Sequence, residues 1–328
     1  MIRRRTIMRS VSMERKRLKS TALDLYIQDI NEFESGLKSE NLSPSTAKNY
    51  VGYLKLFCSW CILYLNSIKL SDITIEHLRN YISYLQNTLE LRPNTINCYL
   101  ASIRKMFQYV RKETLTKYVL PDLVVDIYIP RVPSAEQTGR MLSACHDILS
   151  RILYVLLIST GLRFSEAVSL QFRHIHTEQR QILVTNTKGR MDRMVPLIPE
   201  VIQLLTDRCR EYNSCHPNQK LTPDDYVFFS PDTGKSMTKS QLRRIFMDVQ
   251  KSADLAEEHF TCHSMRHYFA LQYYLQSHDI LLIKRLLGHK SLAATEVYLV
   301  LAASIEVQDK YANPVDIARS HGPENTNS

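Results

Sequence analysis

Residues 148–166 read ILSRILYVLLISTGLRFSE. From Ile152 to Ile158 the run is apolar without a break. That is far short of the roughly 20 residues a membrane helix needs, so the spacing predicts a buried helix over Ile148–Ile158. Gly161 is placed to end it. Just beyond, Arg163 and Glu166 stand three apart and so share one face of the following turn. Taken alone, such a pair is most often an exposed salt bridge of little energetic weight.

Toward the C-terminus, Gln181–Thr185 and Arg193–Leu197 are short β-prone runs, with Lys188-Gly189 in the turn between them, which predicts a hairpin. Tyr226–Phe229 is expected to add a strand, and helical patterns fill most of the remainder to about Tyr311. His263 and Arg266 repeat the three-residue spacing within His263-Ser264-Met265-Arg266-His267. Next comes Leu287-Gly288-His289-Lys290-Ser291, then Tyr298. Asp279 is positioned to cap one helix, Gly288 to end it and Ser291 to cap the next. A single histidine on a helix is ordinarily structural and a single tyrosine ordinarily core. The ordered set of Arg, Glu, Lys, His, Arg, His and Tyr within one domain is what raises the prospect of chemistry.

Toward the N-terminus, residues 23–112 are helical throughout by pattern. Ser43-Pro44 supplies a cap and a first-turn proline, and Ala47, Tyr50, Leu54, Phe57, Cys61 and Leu65 then recur at helical spacing. A further helix fits Ile75–Leu85, and another starts near Pro93 with Ile96, Leu100, Ile103, Phe107 and Val110 on one stripe. Its opposite face carries Arg104, Lys105, Gln108, Arg111 and Lys112, which suits either a nucleic-acid groove or an ordinary solvated surface. Pro121, Pro130 and Pro133 break the period and mark a stiff connector. The expected division is a basic, solvated tail over 1–20, a helical domain over 21–115, a linker over 116–133, a mixed domain over 134–313 and a disordered tail over 314–328. Met13 is a second candidate start.

The chain has 328 residues, and 42 Lys and Arg against 33 Asp and Glu give +9, a balance that permits a polyanionic partner without requiring one. Only eight glycines are present, and no phosphate-cradling glycine loop occurs. The seven cysteines are scattered, which suits reduced thiols in a cytoplasmic protein. Cys58 and Cys61 have redox-motif spacing but lie inside an apolar helical pattern, where core packing is the expectation.

Thr160-Gly161-Leu162-Arg163-Phe164-Ser165-Glu166, Lys188-Gly189 before Arg193-Met194-Val195-Pro196-Leu197, His263–His267, and Leu287–Ser291 with Thr295 and Tyr298 together resemble the motifs of the tyrosine recombinase (phage integrase) family, in the family's order. The departures are small: Thr187 for a glycine, Met191 where a lysine is frequent, Met265 for a leucine, and Leu299-Val300 after the tyrosine. The resemblance implies a mainly α, two-domain fold. An all-helical SAM-like core-binding domain would precede a mixed α+β catalytic domain with a small antiparallel sheet, the two forming a C-shaped clamp. It implies site-specific recombination of double-stranded DNA by a homotetramer on two sites, with accessory DNA-bending factors and exchange of a segment such as Leu301–Tyr311. A mobile genetic element, acting by integration, excision or transposition, is the implied carrier, and a cytoplasmic, nucleoid-associated location follows.

In that likeness Tyr298 is the nucleophile that forms a 3′-phosphotyrosyl link and frees a 5′ hydroxyl. Arg163 and Arg266 suit a bidentate grip on the non-bridging oxygens. Lys188 would protonate the leaving 5′ oxygen, His263 serve as base or relay, His289 donate to the phosphate, and Glu166 orient Arg163 and the histidines. Neither ATP, metal nor another cofactor is implied. Tyr311 is the competing tyrosine. Lys48, Arg104, Lys105 and Arg111 are the candidate DNA contacts. Two other readings stay open: a type IB topoisomerase-like enzyme, and a non-catalytic DNA-binding regulator on the same scaffold.

Overall fold

The computed structural model describes residues 2–40, 42–125, 129–185, 192–218, 220–289 and 291–310, with side chains between 11 and 303. The chain divides into two compact units, Met1–Asp126 and Ile127–Ser328. Among the described residues no helix is long and apolar enough to cross a membrane.

The first unit is built from α1 (Ile2–Ser20), α2 (Ile27–Lys38), α3 (Pro44–Tyr64), α4 (Ile75–Asn87) and α5 (Pro93–Tyr109). Ser43 caps α3 as its sequence predicts, its hydroxyl accepting from Thr46 N–H at 3.0 Å. The core is rich in aromatics: Phe57, Trp60 and Tyr81 pack with centroids 4.9 to 6.0 Å apart. Cys58 and Cys61 are wholly buried in this core, and burial pushes both thiols up, Cys61 to about 12, so they are inert core residues.

Within the expected solvated tail over 1–20, residues 2–20 instead form α1, and its last turns are docked. Leu18 is buried, and the Glu14 carboxylate accepts from the hydroxyls of Tyr64 (2.6 Å) and Tyr84 (2.9 Å). The expected linker also starts inside the first unit. Leu115 and Leu120 are buried, and the Asn97 side chain clasps Leu123, donating to its carbonyl at 2.9 Å and accepting from its N–H at 2.7 Å.

The second unit carries α6 (Ala135–Ser143), α7 (Ile148–Thr160), α8 (Phe164–Val168), β1 (Ile175–His176), β2 (Gln181–Val184), β3 (Arg193–Pro196), α9 (Pro199–Cys215), α10 (Lys239–Ser252), α11 (Cys262–Ser277), α12 (Ile280–Leu287) and α13 (Ala293–Lys310). α7 is the buried helix the opening run predicts, with Ile152 through Leu157 all within the core. Each such side chain contributes about 1.5–3 kcal/mol by leaving water. The Tyr154 hydroxyl, in the middle of that run, is satisfied by the Phe246 carbonyl at 2.8 Å.

β1, β2 and β3 form one antiparallel sheet in sequence order, with Ile182 opposite Val195 and Val184 opposite Arg193. The predicted hairpin is therefore present, although its turn, with Lys188, lies outside the described residues. The strand expected at Tyr226–Phe229 is not formed. Val227, Phe228 and Phe229 are all buried, but their main chain pairs only at isolated points, Val227 N–H with Leu170 and Met237 N–H with Phe228. The third strand is instead the short β1. The tail over 314–328 and Tyr311 also lie outside the described residues.

If α1 is an integral part of the first unit, Leu18→Ala will lower that unit's stability by about 2–5 kcal/mol, the range for emptying a buried leucine site. Urea unfolding measures this, and an unchanged midpoint would return the segment to the status of a solvated tail.

Candidate active site

Two helix ends make the floor of the site. α7 stops at Gly161 and α12 at Gly288, both in the left-handed region at φ +61° and +63°. A side chain at Gly161 would also collide with Phe269, whose ring lies 2.4 Å from the position a Cβ would take. The carbonyls left open where the helices end turn toward Arg266, which projects from α11 into a fully buried position. Its Nη1 donates to Gly161 O and its Nη2 to Leu287 O, both at 2.6 Å. Helix C-termini carry partial negative charge, so the guanidinium is stabilised with no carboxylate bonded to it among the described residues. Burial first, and then the charge of Arg163, lower its pKa to about 9, which leaves it cationic at neutral pH.

Arg163 is the residue that caps α8. Its main-chain N–H donates to Glu166 Oε2 and its Nη1 to Glu166 Oε1, both at 2.8 Å, while its Nη2 reaches Gly288 O at 3.3 Å. The sequence-predicted pair is thus a half-buried, doubly bonded one and not a surface bridge. Glu166 also binds a residue that sequence reasoning left out. Arg193, at the start of β3, donates Nη2 to Oε2 at 2.7 Å and Nη1 to Oε1 at 3.1 Å. Burial alone would raise the Glu166 pKa, but the bonds and charge of Arg193, and then of Arg163, outweigh it and hold the carboxyl at about 2. A usable signal was present: the two-residue alternation of a strand puts Arg193 on the same buried face as Val195 and Leu197. A charge on an apolar strand face requires a partner.

The histidines complete the enclosure. His263 is exposed, and its ring meets the His267 ring edge-on, with centroids 4.5 Å apart. Burial, then the charges of Arg266 and Arg163, depress its pKa. His289 bonds Thr295 Oγ1 through Nδ1 at 2.9 Å, and burial followed by Arg266 and Arg163 brings its pKa down to about 4. His267, named in the motif but not among the candidate residues, falls to about 3 through burial, then His263 and Arg266. It is therefore neutral, and with its proton on Nε2 its Nδ1 accepts the Tyr298 hydroxyl at 2.9 Å.

Tyr298 comes from α13 and is buried to 1% exposure. Burial pushes its phenol up to about 12 against the opposing pull of Arg266, whose field it shares. Arg163, Glu166 and the carbonyl turn that holds Arg266 are bonded into one cluster, and His263, His289 and Tyr298 all lie within the field of Arg266. Lys188 lies outside the described residues. α13 runs on to Lys310, and Ala302 is buried within the unit. Beside His263 opens a groove of about 560 Å³ bordered by Phe164, Arg243, Met247 and Phe260. Among the described residues no group of three or more His, Cys, Asp or Glu side chains is placed to hold a metal ion.

The four candidate DNA contacts separate into two kinds. Arg104 donates to Leu120 O at 2.6 Å and Asp122 at 2.8 Å, Lys105 binds Glu40, and Arg111 donates to Ile73 O at 2.6 Å. These three hold the unit's own chain together. Lys48 is exposed, and borders a groove of about 430 Å³ together with Lys38 and Lys55.

The depressed histidines have a measurable consequence. His267 and His289 fall from 6.5 to about 3 and about 4, so the unfolded chain takes up protons before the folded one. The second unit will therefore lose stability as pH falls from 6.5 toward 3, by up to about 1.4 kcal/mol per pH unit for each histidine. Thermal unfolding across that window should show the loss, with a shallower slope for His289→Asn; identical slopes would contradict the buried, neutral assignment.

Residues 132–304, more than half of the chain, match the model of the phage integrase family, and residues 29–117 match its N-terminal SAM-like domain. Tyrosine recombinase XerC of Rickettsia canadensis is 27% identical over 298 residues, covering 84% of this chain and 93% of the relative. Tyrosine recombinase XerA of Thermococcus kodakarensis is 25% identical over 271 residues, covering 82% and 89%. The fold is shared with the XerH site-specific recombinase bound to its palindromic difH substrate, at a TM-score of 0.64 and 20% identity over 93% of this chain and 95% of the other. A lambda integrase tetramer on a Holliday junction superposes at 0.63 and 18% identity over 83% and 76%. With both of its units matched, the chain belongs to the phage integrase family.

Proposed function

We propose that this protein is a site-specific DNA recombinase that breaks and rejoins strands through a covalent 3′-phosphotyrosyl link at Tyr298, acting as a tetramer on two double-stranded sites. The observation that carries the reading is the buried Arg266, held by main-chain carbonyls, with Arg163 and the buried Tyr298 both within its field. Phosphoryl transfer builds negative charge on the non-bridging oxygens, and preorganised cationic donors stabilise it more than they stabilise the bound substrate. Arg266 retains an Nε–H without an acceptor among the described residues. Arg163 has one amine held by a single weak carbonyl contact at 3.3 Å, which an anionic oxygen would displace.

Tyr298 attacks phosphorus as its phenolic proton passes to His263, and the bond to the 5′ oxygen breaks as that oxygen is protonated. The energy of the broken diester is kept in the phosphotyrosine, so reversal by a 5′ hydroxyl needs no ATP. Attack requires the hydroxyl to leave His267 and turn outward on α13. Entry of the phosphate anion opposes the arginine charges that depress His263 and His289, raising both toward the range in which they carry protons. Lys188 supplies the proton to the leaving oxygen in this scheme. Glu166 fixes Arg163 from behind and touches no DNA.

Lys48, with Lys38 and Lys55, is the contact we assign to the phosphate backbone in the first unit. A cytoplasmic location on the nucleoid fits a protein whose substrate is DNA. A type IB topoisomerase-like activity would relax a single duplex without exchanging strands between two.

Duplexes built from the DNA that flanks the coding sequence, nicked so that cleavage traps the covalent product, provide the test. Tyr298→Phe should bind them with unchanged affinity and form no adduct; a persistent adduct would refute the nucleophile. Arg163→Ala should slow trapping by on the order of 10²–10³-fold. In binding titrations Lys48→Ala should reduce the slope of log affinity against log salt by about one. Arg104→Ala should instead lower the stability of the first unit.

A further inference from the structure

Glu166 binds two arginines, and only one of them faces the reacting centre. Arg193 has all three side-chain nitrogens engaged within the protein, whereas Arg266 keeps an Nε–H without an acceptor among the described residues and Arg163 an amine on a weak contact. Nη1 and Nη2 hold the two oxygens of Glu166, and Nε donates to Leu286 O at 2.8 Å. Gly288 closes over it so tightly that a Cβ there would lie 3.1 Å from Arg193 Cδ. The carboxylate thereby accepts four N–H donors, two from each arginine, which is close to its full capacity.

We propose that Arg193 is a positioning residue for strand cleavage, which shares the Glu166 carboxylate so that Arg163 keeps its positive charge for the scissile phosphate. The inference rests on the phosphoryl-transfer reading above. An isolated Arg163–Glu166 pair would be electrically neutral and would present an anion with little more than a dipole. With Arg193 behind it the triad carries one net positive charge, and the only guanidinium of the triad able to direct that charge outward is Arg163. The second hold, on Leu286 O, fixes the strand start to the end of α12. The next two carbonyls along, Leu287 O and Gly288 O, are those that grip Arg266 and Arg163. One side chain thus sets both the charge and the placement of the clamp. Arg193 touches neither substrate nor Tyr298, so its effect passes through Glu166 and that carbonyl turn.

Single-turnover trapping on nicked duplex, beside equilibrium binding of the same duplex, tests this with the full chain. Arg193→Gln should slow covalent capture by on the order of 10²-fold, as loss of a preorganised donor does, while duplex affinity stays unchanged. Arg193→Lys, which keeps the charge and loses the fork, should recover part of the rate. Glu166→Gln placed in the Arg193→Gln background should also recover part of it, because the carboxylate left unbalanced is then removed. A methylphosphonate at the cleavage position, which carries no negative charge, should narrow the gap between wild type and Arg193→Gln. Wild-type kinetics in Arg193→Gln, or a further loss on adding Glu166→Gln, would overturn the proposal. Should Arg193→Gln fail to fold, Arg193→Lys on the charged and neutral substrates decides the matter, since equal defects on both would overturn it. Adduct formation by Tyr298→Phe would instead overturn the reading on which the proposal stands.

Discussion

A guanidinium buried between two helix ends is the constraint around which the second unit is arranged. Arg266 takes its stabilisation from the carbonyls of Gly161 and Leu287, so α7 and α12 must both stop, at the right place, with their open carbonyls converging. Stopping a helix this abruptly favours a left-handed residue, and both positions are glycine. The chain has only eight glycines, and two of them are committed to this junction. Had a carboxylate been used in place of the carbonyls, the cation would have been neutralised. Partial charges hold it in the interior and leave most of its field available.

The rest of the site follows from having more positive charge than negative in a small, poorly hydrated volume. Arg163 and Arg193 share the Glu166 carboxylate, Arg266 is held by carbonyls, and the neighbouring imidazoles respond by remaining neutral. The same field lowers the cost of ionising Tyr298, but it does not overcome the burial that keeps the phenol protonated. The free protein therefore holds a positively charged site suited to an anion, beside a buried and protonated tyrosine that is the nucleophile we propose. A phosphate supplies the missing counter-charge and so fills the site, while the phenol gains reactivity only by leaving the buried place that keeps it protonated.

Much of this was legible in the residues, and the reasons differ from place to place. Caps and stops could be read because they depend on local chemistry: Ser43, Gly161, Asp279 and Gly288 all act where their types predict. The hairpin could be read from alternation, and the gathering of Arg163, Glu166, His263, Arg266, His289 and Tyr298 from motif order. What stayed hidden depends on the partner across the gap. The charges of Arg104, Lys105 and Arg111 look identical whether they meet DNA or, as here, their own chain. Glu14 and Leu18 look like parts of a basic tail until Tyr64, Tyr84 and the core are placed against them. Tyr226–Phe229 has the composition of a strand, yet its hydrogen bonds go to a turn and a loop, which composition does not encode. Arg193 was quoted as motif context, and its role emerged only when the buried strand face was seen to end on Glu166.

With Tyr298 as the proposed nucleophile, its contact with His267 makes cutting separate from holding. In a protein whose attacking oxygen is stored inside, some of the free energy of seating a duplex must be diverted to drawing α13 away from its resting bed. Duplexes that grip the surface without supplying that pull are retained intact, so selectivity at the chemical step can exceed selectivity in affinity. Sequence discrimination would then be written as much in the mechanics of one helix as in the bases the protein touches.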